Sequence, residues 1–238
     1  MKILFLLMAS TFLSSLCFAE IKAEGLSNET ALGIVLTSGN TDVKTLNLSQ
    51  VNSYEKNQNV YKFNFNYLRS SNQGTEQALL WGLGLRYERE LNPRFSLFVS
   101  QALMSDYYQG IVQRYSTDVG GKYNFTKQEG TNWYVEAGYR FSRENYRYGF
   151  KNISFIRLFH EIDRQIDKQF SVKWWIEYLP NIITWKAYQA NTEASLAMVL
   201  NDIFSLKSSY SVRYYNEPPL GVEKRTDQTF MTSLVAKF

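Results

Sequence analysis

Apolar and polar side chains alternate with a period of two through most of this chain. Tyr61, Phe63, Phe65 and Tyr67 flank Lys62, Asn64 and Asn66, and Leu79, Trp81, Leu83, Leu85 and Tyr87 flank Gly82, Gly84 and Arg86. The rhythm recurs at Phe95 to Leu103, Tyr115 to Phe125, Trp133 to Phe141, Phe170 to Tyr178, Tyr188 to Leu200, Phe204 to Tyr214 and Phe230 to Phe238. That period is the signature of strands with one apolar face. Weaker runs near 30–38, 42–54 and 153–164 bring the total to about twelve strands of about 11–13 residues, longer than the ~5–6 residues of most globular strands. Pro93, Pro180, Pro218 and Pro219 all fall between these runs, as a hydrogen-bonded sheet requires. Two runs fit less well. Leu46 and Leu48 share a phase with Gln50 and Asn52, and Ile153 and Phe155 are out of phase with Ile156, Leu158 and Ile162, which a bulge near Phe155 would reconcile.

A soluble β-sandwich would alternate too. Here, however, the clear strands keep Asp, Glu, Lys and Arg off the apolar face except at strand ends. The aromatics also sort to strand ends: Tyr54, Tyr61, Tyr87, Phe125, Trp133 and Phe170 at one, Tyr67, Trp81, Tyr115, Phe141, Tyr178 and Tyr214 at the other. Two aromatic levels around an uncharged band are the girdles of a membrane barrel. The expectation is therefore an all-β, transmembrane, antiparallel up-and-down β-barrel, closed because lipid tolerates no open sheet edge. Short breaks (Glu55 to Asn59, Glu90 to Arg94, Thr126 to Thr131, Asp163 to Lys168, Leu200 to Asp202) lie on the side of the termini, which places the termini in the periplasm. The longer outer loops are then Ser38–Asp42, Ser70–Gln77, Ser105–Gln113, Ser142–Asn152, Pro180–Ala187 and Asn216–Thr226. The apolar segment Ile182, Ile183 and Trp185 leaves two placements open, folded inward as a constriction or lying on the outer lipid leaflet.

The N-terminus changes the reading of location. Met1 and Lys2 precede a mostly apolar stretch from Ile3 to Phe18, and Cys17-Phe18-Ala19 offers a cleavage site. Residues 1–19 read as a secretory signal peptide and 20–238 as the barrel. The stretch is near the short limit for a membrane span. Cleavage after Ala19 removes the one cysteine, so no disulfide holds the mature chain. Aromatics at 16% exclude disorder, and a formal charge of +4 without a basic run gives no case for nucleic acid.

The polar phase supplies the candidate site. Lys62, Arg86, Lys122, Arg140, Arg157, Lys173, Lys207 and Arg213 point inward with Glu88, Asp118, Glu136, Glu161, Glu177 and Glu193. Mixed signs favour interior ion pairing that narrows the lumen. The same residues are the candidate selectivity lining of a pore. Tyr134, Trp175 and Tyr215 fill space beside Gly82, Gly84, Gly120 and Gly138. Catalytic signals are weak. His160 is the one histidine, its phase puts it on the outer face, and no serine elbow, metal-ligand pair or phosphate loop accompanies it. No cofactor is implied. Arg143, Arg147, Lys151, Lys186, Lys224 and Arg225 in the outer loops are candidate contacts for lipid or lipopolysaccharide head groups.

The run Leu36-Thr37-Ser38-Gly39-Asn40-Thr41-Asp42 and the ending Thr229 to Phe238 resemble the YdiY-like family, an uncharacterised family labelled salt-induced outer membrane proteins. Terminal Phe238 with alternate apolar residues also resembles the signal read by the outer-membrane assembly machinery. The resemblance implies a location and a barrel, and carries over no catalytic residue. The functions left are a small or gated pore, a structural protein of envelope stress, or, as the alternative, a lipid-acting outer-membrane enzyme built around His160.

Overall fold

The computed structural model describes residues 25–36, 43–107, 110–128, 130–146, 149–218 and 224–237. Residues 1–19, expected to form a signal peptide, the run Ser38–Asp42 and Phe238 lie outside them. Twelve strands form one closed barrel in sequence order. They are β1 (Leu26–Leu36), β2 (Val43–Lys56), β3 (Asn59–Asn72), β4 (Thr75–Glu90), β5 (Phe95–Asp106) and β6 (Ile111–Gln128). The remainder are β7 (Thr131–Tyr146), β8 (Gly149–Gln165), β9 (Phe170–Leu179), β10 (Gln189–Val199), β11 (Phe204–Tyr215) and β12 (Thr226–Lys237). Every neighbouring pair is antiparallel, and β1 closes on β12 from Glu29↔Lys237 to Leu32↔Leu234.

The strands are longer than alternation alone indicates, reaching 18 residues in β6 and 17 in β8. Several expected loops shrink accordingly. The Ser70–Gln77 loop is a two-residue turn at Gln73 and Gly74, and β7 and β8 run on to Tyr146 and from Gly149. Positive φ at Gln73 (49°) and Gly74 (77°), and at Asn57 (50°) and Gln58 (64°), matches the twist of a tight hairpin. Beyond the apolar band the backbone keeps pairing although both faces are polar, so the pattern fades before the strand does.

The expected bulge near Phe155 is absent. The β7–β8 ladder runs unbroken through Arg140↔Phe155 and Gly138↔Arg157. Ile153 and Phe155 instead point inward and bury against Leu179. The chain after β9 continues along β8: Ile156 N donates to Pro180 O, and Ile182 N to Ser154 O. Asn181 then turns the chain by accepting from the amides of Ile183 and Thr184. Ile183 (83%) and Trp185 (63%) are left exposed, packed against neither the inner wall nor the buried cluster of Ile153, Phe155 and Leu179.

The outer face is apolar and lined with touching rings. At the turn side Tyr54, Tyr61 and Tyr87 contact one another in series. Further round, Tyr123, Phe125, Trp133, His160 and Trp174 do the same. At the loop side Tyr178, Tyr188 and Tyr214 form a third series. Between these levels residues such as Leu85 (62% exposed), Leu97 and Val119 present their side chains outward and exposed.

Candidate functional site

The inner face concentrates the charges on the wall from β4 to β9. Lys122 Nζ lies 3.1 Å from Glu88, and Arg86 lies 3.0 Å from Glu88 and 2.7 Å from Glu136. Arg157 continues the chain, 2.5 Å from Glu136 and 2.7 Å from Glu177. Arg140 closes it, 3.0 Å from Glu177 and 2.7 Å from Asp118. Four cations and four anions thus form one neutral lattice. Glu88 (1% exposed) and Glu136 (4%) are buried within it. Buried charges are tolerable only when each is paired and hydrogen-bonded, and both carboxylates meet two cations.

Small residues beneath the long side chains let non-adjacent strands reach each other. Lys122–Glu88 crosses β5 at Ser96, which stands opposite Lys122 and Glu90. Phe98, also on β5, slides over Gly120: a Cβ there would meet the Phe98 ring at 2.8 Å and Ala137 O at 2.5 Å. The guanidinium of Arg86 rests 3.9 Å from the centre of that ring, a cation–π contact that supports the lattice from below. Tyr134, Phe159 and Trp175 contact in series beside it, with Lys122 4.4 Å above Tyr134. Toward the loops Arg114 sits 2.6 Å from Glu144, which also accepts from the Tyr146 hydroxyl, and Arg213 faces Asp106 at 3.6 Å.

The opposite wall is different. Its charged groups stand as separate pairs, Lys207–Glu193 at 3.2 Å and Lys237–Glu29 at 3.3 Å, and Lys173–Glu161 at 2.9 Å stands apart from the lattice at the turn-side ends of β9 and β8. They surround a cavity of about 400 Å³ walled by Phe159, Trp175, Ser195 and Ala197. It adjoins a second cavity of about 430 Å³ at the turn-side rim, the two sharing Asp163, Ser171, Ala197 and Lys237. Farther round, Asn64 and Asn66 lie over Gly84 and Gly82, where a Cβ would approach their side-chain oxygens to 2.2 and 2.6 Å. These glycines leave room for the asparagine side chains.

Of the candidate lining residues, Arg86, Glu88, Asp118, Lys122, Glu136, Arg140 and Glu177 join the lattice with Arg157. Lys173, Glu193 and Lys207 border the cavity, and Arg213 lies at the loop end. Lys62 stands opposite Arg86 and makes no ion pair within 4 Å among the described residues. Sequence reading missed Phe98 and Phe159 as inward residues because apolar positions were assigned to the outer face; the signal for Phe98 was its shared phase with Ser96 and Ser100. His160 lies outside the barrel, where Trp133 Nε1 donates to its Nε2 at 2.8 Å.

A profile of the family described as "Protein of unknown function, DUF481" matches residues 30–238. No curated protein matches the chain. Among solved structures, the NanC porin shares 11% identity at a TM-score of 0.51, covering 89% of this chain and 97% of its own. The translocator domain of the autotransporter NalP from Neisseria meningitidis shares 10% identity at 0.46, covering 97% and 94%. The KdgM porin shares 13% at 0.46, covering 89% and 98%. The first likeness is one of fold.

Proposed function

The chain belongs to the DUF481 family of proteins of unknown function, and we propose that it is an outer-membrane barrel acting as a narrow, non-enzymatic pore for small polar solutes. Within that family, its Leu36-Thr37-Ser38-Gly39-Asn40-Thr41-Asp42 run and its ending Thr229 to Phe238 support assigning it to the YdiY-like, salt-induced group. In this reading residues 1–19 are cleaved on export and Phe238 engages the assembly machinery. The termini lie in the periplasm, and the outer loops meet lipopolysaccharide. The outer face supports the membrane location. Its exposed Leu and Val between the aromatic levels form the kind of apolar surface that a water-soluble monomer rarely carries.

The observation that carries the pore is the asymmetry of the lumen. The charge lattice and Phe98 fill the β4–β9 side, while the cavity beside Ser195 and Ala197 opens to the turn-side mouth. Solute passes along the open side, and the lattice narrows the path. Planar-bilayer recording tests this. The inserted protein gives small, steady currents, and Ser195→Trp suppresses them. Silence of inserted protein across voltages and salts would overturn the pore and leave a structural role.

A further inference from the structure

At β1 and β2 a connected chain of four polar side chains interrupts the apolar outer face. Asn28 and Thr30 of β1 stand opposite Asn52 and Gln50 of β2, which stand opposite Phe63 and Phe65 of β3. On β2, Tyr54 bounds the stretch at the turn-side aromatic level and Leu48, opposite Tyr67, bounds it toward the loops. Gln50 and Asn52 therefore lie within the apolar band. The four are bonded in a chain. Thr30 Oγ1 donates to Gln50 Oε1, Gln50 Nε2 donates to Asn52 Oδ1 at 3.2 Å, and Asn52 Nδ2 donates to Asn28 Oδ1. One amide hydrogen on each of Gln50 and Asn52, and both on Asn28, find no partner among the described residues. On the β12 side the facing outer position is small, Ala236 standing opposite Thr30.

We propose that this strip is where two copies of the chain meet within the membrane; the inference rests on the reading that the outer face contacts lipid. Hydrocarbon offers the spare amide hydrogens nothing, and unbonded polar groups are costly there. A second copy satisfies them. A two-fold axis along the membrane normal brings each residue to the depth of its own counterpart. An amide is both donor and acceptor, so Gln50 and Asn52 complement themselves, as a charged strip would not. Ala236 beside Thr30 allows close backbone approach on the β12 side of the strip, the condition under which interhelical polar contacts form in membranes.

The test uses the full chain with Cys17→Ser, reconstituted in phosphatidylcholine vesicles. Under mild oxidation Gln50→Cys cross-links to a dimer, whereas Val172→Cys, on the outer face of β9, does not. Independently, replacing Gln50 and Asn52 together by Leu weakens dimerisation by roughly tenfold in a barrel that still resists unfolding. Replacing Gln101, bonded on the outer face to Thr117, by Leu leaves the dimer unchanged. Inserted protein that is monomeric, or that cross-links equally at both cysteine positions, overturns the dimer alone. Protein that never inserts overturns the membrane reading and the dimer with it.

Discussion

The two walls of the lumen are built from the same alternating pattern and end in different states. From β4 to β9, long charged side chains interlock across Ser96, Gly120 and Gly138 and bury Glu88 and Glu136 almost completely. From β10 through β12 and β1, Lys207 and Lys237 each hold one partner at the edge of the cavity, as does Lys173 at the turn-side end of β9. The difference comes from what lies between the charges. Where each anion lies within reach of two cations, as Glu88, Asp118, Glu136 and Glu177 do, the charges form a lattice; where Ser195, Ala197 and Ser233 stand between them, each pair stands alone. Packing on one side of a barrel therefore leaves its passage on the other.

Substitutions that act on one wall sharpen this contrast. The largest effect is expected from Glu136→Gln, which removes the anion shared by Arg86 and Arg157. It lowers stability by about 3 kcal/mol in urea unfolding from vesicles and raises single-channel conductance. Gly120→Ala follows, because its Cβ collides with Ala137 O and the Phe98 ring; a loss of about 2 kcal/mol is expected in the same assay. On the open wall, Lys207→Met breaks the partly exposed pair with Glu193 and costs about 1 kcal/mol or less, while shifting ion selectivity toward cations in reversal-potential measurements. Glu90→Gln at the rim, where Lys127 pairs at 2.6 Å in reach of solvent, changes stability by less than about 1 kcal/mol. If Lys207→Met proved as damaging as Glu136→Gln, the two walls would not differ in the way described.

The strand number, the antiparallel closed sheet and the phase of the charged residues were legible because a two-residue period survives in nearly every strand. Three things were not. Phe98 and Phe159 face inward because the inner face of a barrel also needs filling, and an apolar side chain in the polar phase does that work. Ile153 and Phe155 mimic a register error, but they answer to Leu179 and to the chain that continues along β8 past Pro180. The partners within the lattice were hidden as well. Arg86 meets Glu136 across two intervening strands, and that proximity depends on barrel closure rather than on sequence spacing. Gln50 and Asn52 looked like a flaw in the second strand; their phase was correct, and the polar strip is real.

The central claim is that one face of this sheet touches lipid and the other is enclosed. Trp174 and Trp175 are adjacent and point to opposite faces: Trp174 lies in the outer ring series and Trp175 on the lumen cavity. Variants retaining only one of these tryptophans, inserted into vesicles of brominated lipid, test that claim directly. Fluorescence of Trp174 should be strongly quenched and that of Trp175 spared. Equal quenching of the two, or quenching of Trp175 alone, would contradict the account.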